Sequence, residues 1–346
     1  YIQLGGNIRN IYILLLLSWS FGAVHTVDNN MPSAGNYTSL QDAHDGAAAG
    51  DTLHVFPSPT TYNGIDVTKH LTFIGVGYDL EDIPGQPENL KKTAKLTTMT
   101  FKEGSDNSLL LGFDGEFSAN IGTSNITIER NKLNEVRLNY SGISNIYINK
   151  NLLKKVVCDW SVDDTYNINI LNNTFYDSNS NSIEFKDMDW SGTSQHNNFI
   201  IINNVMMGNI YSVSDDNTIL FLNNIVAGDF DTDFLTENNV VMYNIASGNS
   251  LPEGNGNMNN VDLSTVFVDY ANGDYHLFFT DNDSSEDDSP ALGAGEGGVD
   301  MGAYGGESPF VDFGIPALPS IYQFQAPFVG AQQNGLDVII KAKSNK

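Results

Sequence analysis

The chain has 346 residues, only 17% of them charged, and its 42 acidic against 16 basic side chains give a formal net charge of −26. Such an acid excess repels nucleic acid and anionic membranes and suits a salty medium. Abundant Gly, Asn, Ser, Thr and Asp argue against a helical protein and for many short strands and turns, and the single Cys158 excludes an internal disulfide, so stability must come from a large core or bound ions.

In chain order, residues 1–24 read as an export signal. Arg9 precedes an apolar run from Ile11 to Leu17, and small residues follow, with cleavage expected between Gly22 and His25. The run is too short to span a bilayer, and no later segment is a transmembrane candidate. Residues 25–50 are predicted as an N-terminal cap. Thr38-Ser39-Leu40-Gln41 has capping-box character, and Leu40, Ala43, His44, Ala47 and Ala48 share one helical face. A short helix there would roof the first coil, with His44 a roof residue rather than a catalyst.

Residues 51–306 carry a repeat. Asp51–Phe56, Leu71–Val76, Leu96–Phe101 and Leu109–Phe113 read as strands, and six later segments share the pattern N-x-[apolar]-x-x-x-N with small changes. Their closing asparagines are Asn131, Asn151, Asn173, Asn204, Asn224 and Asn244, spaced by 20, 22, 31, 20 and 20 residues. The one long spacing contains a visible insert, Lys186 to His196. A period near 20 predicts a solenoid whose successive coils stack at about 4.8 Å. An Asn at the same bend of every coil can bond to the next, forming a ladder that satisfies buried polar groups. Before each Asn the apolar residues alternate, as in Ile126 and Ile128, which places one set inside the coil. The predicted fold is therefore all-β, a right-handed single-stranded parallel β-helix. About ten coils would make a rod roughly 50 Å long. Late coils are expected at Thr265–Asp269 and Tyr275–Phe279. Pro290 to Gly306, with seven glycines, is expected to close the last coil. Residues 307–346 form a proline-punctuated tail ending in a strand, Leu336–Lys341.

Some of these segments resemble a known group. Asn36 to Phe56 (NYTSLQDAHDGAAAGDTLHVF) and Leu71 to Tyr78 (LTFIGVGY) resemble the opening of secreted parallel β-helix proteins of the pectin-lyase-like superfamily. Asp274-Tyr275-His276-Leu277, Ser289-Pro290-Ala291 and Asp300 to Gly306 (DMGAYGG) resemble their closing turns. The combination is similar to Bacteroidetes-type surface proteins, which implies a secreted or cell-surface bacterial protein. It specifies fold more than function, because this fold hosts lyases, hydrolases, epimerases, adhesins and inert surface proteins.

A lyase needs a cation beside the uronate carboxylate and a Lys, Arg, His or Tyr base, and a hydrolase needs an acid cluster. Neither signature stands out in linear form. By stacking arithmetic, Arg130 and Lys150 occupy one position on adjacent coils, as do Glu135 and Lys155. With Lys132, Arg137, Lys154 and Lys186 they compose a local basic patch on which an anionic glycan could lie. Trp160 and Trp190, the latter in the insert, offer aromatic faces to sugar rings. Asp229, Asp231 and Asp233 form an alternating acidic run and Asp281 to Asp288 a second acidic loop; both are weak Ca²⁺ candidates that lack an EF-hand's glycine and distal Glu. The leading expectation is a non-catalytic protein that binds or organises carbohydrate. The rivals are a polysaccharide-degrading enzyme, lyase before hydrolase, and an adhesin with a protein partner.

Overall fold

The computed structural model describes residues 22–139, 142–158, 165–186, 196–212, 218–231, 238–280, 288–326 and 338–344. Successive strands alternate between two long parallel sheets, so the chain winds as a parallel β-helix. The first sheet has ten strands in coil order, from Val24–Val27 to Val240–Met242. The second runs from Ile65–Val67 to Ile245–Ala246 and is widened at its side by Asn181–Phe185 and Asn209–Ser212. Among the described residues no helix is long and apolar enough to cross a membrane.

Register explains the repeat. One inward column of the first sheet runs Leu53, Phe73, Leu110, Ile128, Ile148, Ile170, Ile201, Phe221 and Val241, each paired with the next. All nine are buried. Stacking like on like fills a narrow core without cavities, which is where the hydrophobic driving force acts.

The six closing asparagines are each fully buried. Every Oδ1 from Asn151 to Asn244 accepts two bonds from the asparagine of the preceding coil, one from its backbone N–H at 2.8–2.9 Å and one from its Nδ2 at 3.0–3.2 Å. Each Nδ2 also donates to a backbone carbonyl of the preceding coil, as from Asn173 to Ile148 O at 2.8 Å. A seventh member, Asn257, ends the series: its Oδ1 accepts from Asn244, and its Nδ2 donates to Val241 O. The spacing of 13 residues hides it from a search at 20.

The residue before each ladder asparagine is left-handed, with φ between 51° and 56° at Arg130, Lys150, Asn172, Asn203, Asn223 and Tyr243. That conformation turns the chain from one sheet to the other; among residues that carry a Cβ, asparagine tolerates it better than most. The opening asparagines of four motifs, Asn125, Asn145, Asn167 and Asn198, are left-handed too, and they form a second, exposed ladder through their side-chain amides.

The N-terminal cap contains α1, Leu40–Gly46, whose Ser39 N-cap accepts from Asp42 N. Leu40, Ala43, His44 and Ala47 are buried, while Ala48 lies beyond the helix and is exposed. His44 is a roof residue: Thr68 N–H donates to its Nε2, and its Nδ1 meets Asp45. The rod starts before this cap. Val24–Val27 is its first strand, so Val24 belongs to the rod rather than to the leader assigned to 1–24. Residues 1–21 of that leader lie outside the described residues.

The other end departs further from expectation. Residues 249–261 close the last coil, with Met258 bridged to Ile245 and Leu251 buried. Phe267–Asp269 and Asp274–Leu277 are not coil strands but an antiparallel pair. The glycine-rich segment expected to close the rod instead runs back along it. Gly302 N bonds Asn223 O, Asn172 Nδ2 donates to Ala303 O and Gly305 O, Arg130 Nη1 donates to Ile315 O, and Tyr78 N bonds Phe313 O. This strap passes from the ninth coil to the third, about 29 Å at roughly 4.8 Å per coil. Its glycines allow the strap backbone to touch the rod. A Cβ on Gly302 would lie 2.7 Å from Ile225 Cδ1, and its φ is +86°. Beneath the strap, the outward residues Val205, Ile225 and Ile245 are fully buried and form a second core with Met301, Ala303 and Phe310. Beyond it, Pro319–Gln325 and Ile339–Ser344 pair as a separate antiparallel hairpin.

Replacing Asn173 by Leu would leave the backbone N–H and Nδ2 of Asn151 without their shared acceptor, and Asn204 Oδ1 would keep only the backbone N–H of residue 173 as donor. The expected loss is about 1–3 kcal/mol in chemical denaturation, since buried polar groups would stand unpaired. Asn145→Gly in the exposed ladder keeps the left-handed bend, and should cost less than about 1 kcal/mol.

Candidate functional site

The basic side chains grouped by stacking do not form an open cationic face. Lys155 is in register with Glu135, as the period implied. It lies between two carboxylates, 3.9 Å from Glu135 and 3.6 Å from Glu184. Arg137 pairs with Glu135 at 3.0 Å and Lys186 with Glu184 at 2.8 Å. Burial pushes the Glu184 carboxyl up, but Lys186 and Lys155 outweigh it and hold it below the usual range. Arg130 and Lys150 do share one position, but it is the left-handed bend and not the strand face. The strap covers Arg130, which is 6% exposed and also paired with Glu129 at 3.3 Å. Burial lowers the Lys150 pKa. Arg130 is therefore corrected from a ligand-binding candidate to a strap anchor. The patch is a self-compensated charge array, and an anionic chain would have to displace its carboxylates.

Lys132 differs. It lies in an outward column of the second sheet, followed by Leu152, Thr174, Val205, Ile225 and Ile245. The strap covers the last three. The first three instead floor an open cleft of about 530 Å³. One wall is the turn after the third coil, with Tyr78, Asp79 and Asp82; the other combines Asp274, Tyr275 and His276 with Tyr304, Phe310 and Asp312 of the strap. Tyr176 completes the lining. Lys132 Nζ holds Asp79 at 2.6 and 2.8 Å.

The far wall is fixed by a four-residue latch. His276 stacks on Tyr304 with centroids 4.0 Å apart. Its Nδ1 meets Asp274 at 2.7 Å and its Nε2 faces Asp312 at 3.4 Å, while Tyr304 Oη donates to Asp312 at 2.8 Å. Asp312, helped by Asp274 and opposed by burial, raises the His276 pKa to about 9. Burial would raise Asp312, but the bonds from His276 and Tyr304 hold it below the ordinary value. Tyr176 adds a neutral phenol to the lining: burial first, then the Glu116, Asp177 and Asp79 carboxylates, push it up to about 12. Two hydroxyls in the lining lack any protein partner, those of Tyr78 and Thr174, in residues 2% and 3% exposed.

Sequence reasoning missed this cleft because its residues span 78 to 313. A trace existed: Tyr78, His276 and Tyr304 all sit in the segments that carried the family resemblance. Trp160, Trp190 and Asp233 lie outside the described residues. Asp229 and Asp231 flank Phe230, which pairs with Ile210, and their backbones bond to the strand Asn209–Ser212. Among the described residues no three His, Cys, Asp or Glu side chains converge as a metal site. Compared with known proteins, the chain matches no family model, no curated protein and no solved structure.

The latch titrates with a definite sign. The folded pKa of His276 exceeds its ordinary value of 6.5, so its contribution is complete below about pH 6.5 and is lost as pH rises through about 9. Asp312 acts oppositely, its contribution fading as pH falls below the ordinary 3.8. Amide exchange over 304–313 should therefore accelerate between about pH 7 and 10 beyond the intrinsic base-catalysed rise, and His276→Gln should remove that excess.

Proposed function

We propose that this chain is a secreted or cell-surface β-helix protein of the pectin-lyase-like kind, and that it binds carbohydrate without turning it over. The observation that carries this reading is the aromatic cleft between rod and strap. Its volume falls within the roughly 300–1,000 Å³ of small-ligand sites. A sugar ring has an apolar C–H face and a rim of hydroxyls. Tyr176, Tyr275 and Tyr304 supply ring surface for the first need. Asp82 and Asp79 supply hydrogen-bonding groups for the second, with the unpartnered hydroxyls of Tyr78 and Thr174 buried in the lining.

The non-catalytic part rests on charge pairing. Lys155 and Arg137, two side chains of the patch whose type could serve as a base, are both engaged with carboxylates. The basic n-region and apolar run at the N-terminus support export.

A glycan array followed by calorimetric titration tests the reading. Tyr176→Ala should weaken binding three- to tenfold, the equivalent of about 0.5–1.5 kcal/mol for one ring contact, without moving the melting temperature. Lys150→Ala with Lys155→Ala should leave it unchanged. Binding indifferent to Tyr176 would place the site elsewhere, and new unsaturated or reducing ends would make the protein an enzyme.

A further inference from the structure

We infer that the cleft selects a glycan unit bearing a free amine, such as a hexosamine, over a uronate; this rests on the carbohydrate reading above. The cleft is lined by four carboxylates, Asp79, Asp82, Asp274 and Asp312, against two cations, Lys132 and His276. Both cations are already engaged, Lys132 with Asp79 and His276 with Asp274 and Asp312. A ligand carboxylate would find no uncommitted cation there and would face the field of a chain carrying −26.

An ammonium meets the opposite situation. Asp82 is exposed at the cleft wall and belongs to none of those ion pairs, so its carboxylate can accept a charge-assisted bond. The faces of Tyr176 and Tyr275 attract a cation through the ring quadrupole. The acid cluster is not the only pointer. Tyr78 Oη and Thr174 Oγ1 sit in the lining, buried and without a protein partner. A buried hydroxyl with no partner is costly, and a polar ligand atom that accepts from it or donates to it removes the cost. An ammonium has three donors to distribute over such oxygens. Aromatic faces and a free carboxylate thus line one cleft large enough for a sugar, with two unpaired hydroxyls buried in its lining.

The test titrates the full chain with three tetrasaccharides: glucosamine, N-acetylglucosamine and galacturonate oligomers. At about pH 5.5, where the amines are protonated, the glucosamine oligomer should bind at least about tenfold tighter than the acetylated one, and galacturonate weakest. At about pH 8.5 that advantage should shrink, while binding of the acetylated oligomer stays level. Asp82→Asn should reduce the glucosamine preference several-fold without altering amide exchange over the strap. Equal affinity for free and acetylated amines, or tighter binding of galacturonate, overturns the inference and leaves the carbohydrate reading standing. Penta-lysine binding as tightly as the glucosamine oligomer also overturns it, because charge alone would then suffice. No binding of any of the three sugars, with none on the wider array, removes the carbohydrate reading and this inference together.

Discussion

The amide ladder is the constraint on which the rest depends. A β-helix turns its chain sharply inside a narrow section, and every sharp turn buries backbone donors that no sheet can reach. The asparagine side chain is short enough to stay inside the bend, and it carries a donor group and an acceptor on one carbon. Its Oδ1 takes the backbone and side-chain donors of one neighbour, while its own Nδ2 reaches back to carbonyls. Aspartate could not do both, since it only accepts, and serine, which can accept and donate, has one proton to give where the amide has two. Because each member needs its neighbours at the strand spacing, the ladder also fixes register. The inner columns of Ile and Phe, and the outer columns that build the cleft, inherit that register.

Charge is arranged differently from the polar core. The acid excess is spread over turns and loops. The basic side chains Arg137, Lys155 and Lys186 are distributed among carboxylates, so that Glu135 faces both Arg137 and Lys155, and Glu184 both Lys155 and Lys186. These pairs are partly withdrawn from water, so desolvation offsets much of their attraction. Their effect is to cancel the local field on an otherwise anionic rod. The uncancelled acid of the cleft, Asp82, is therefore informative where the basic patch is not.

The rod was legible in the sequence because its physics is periodic. Spacing near 20 identified the buried asparagines, and alternation identified Ile126, Ile128, Ile146 and Ile148 as core. The same arithmetic placed Lys155 beside Glu135. It failed where periodicity stops. Asn257 continues the ladder at a shorter interval because the final coil is abbreviated. The glycines after Pro290 announced close packing but not against what, and the rod's own outward residues Val205, Ile225 and Ile245 were the answer. Stacking arithmetic gives neighbours along a column but not what lies over it, so Arg130 looked exposed until the strap was seen. The cleft could not be read linearly at all, since its two walls are about two hundred residues apart.

The strap reverses direction, and this sets an order of events during synthesis. Coils can stack one upon another as the chain emerges, because each needs only the one before it. The far wall of the cleft cannot form in that way: Tyr304, Phe310 and Asp312 are made after all ten coils and must travel back to meet Tyr78. A chain that has emerged only as far as the tenth coil would therefore possess a largely finished rod and no cleft. The cleft therefore closes only after Tyr304 to Asp312 have been made and have passed back from the ninth coil to the third, which makes it a late product of a rod assembled before it.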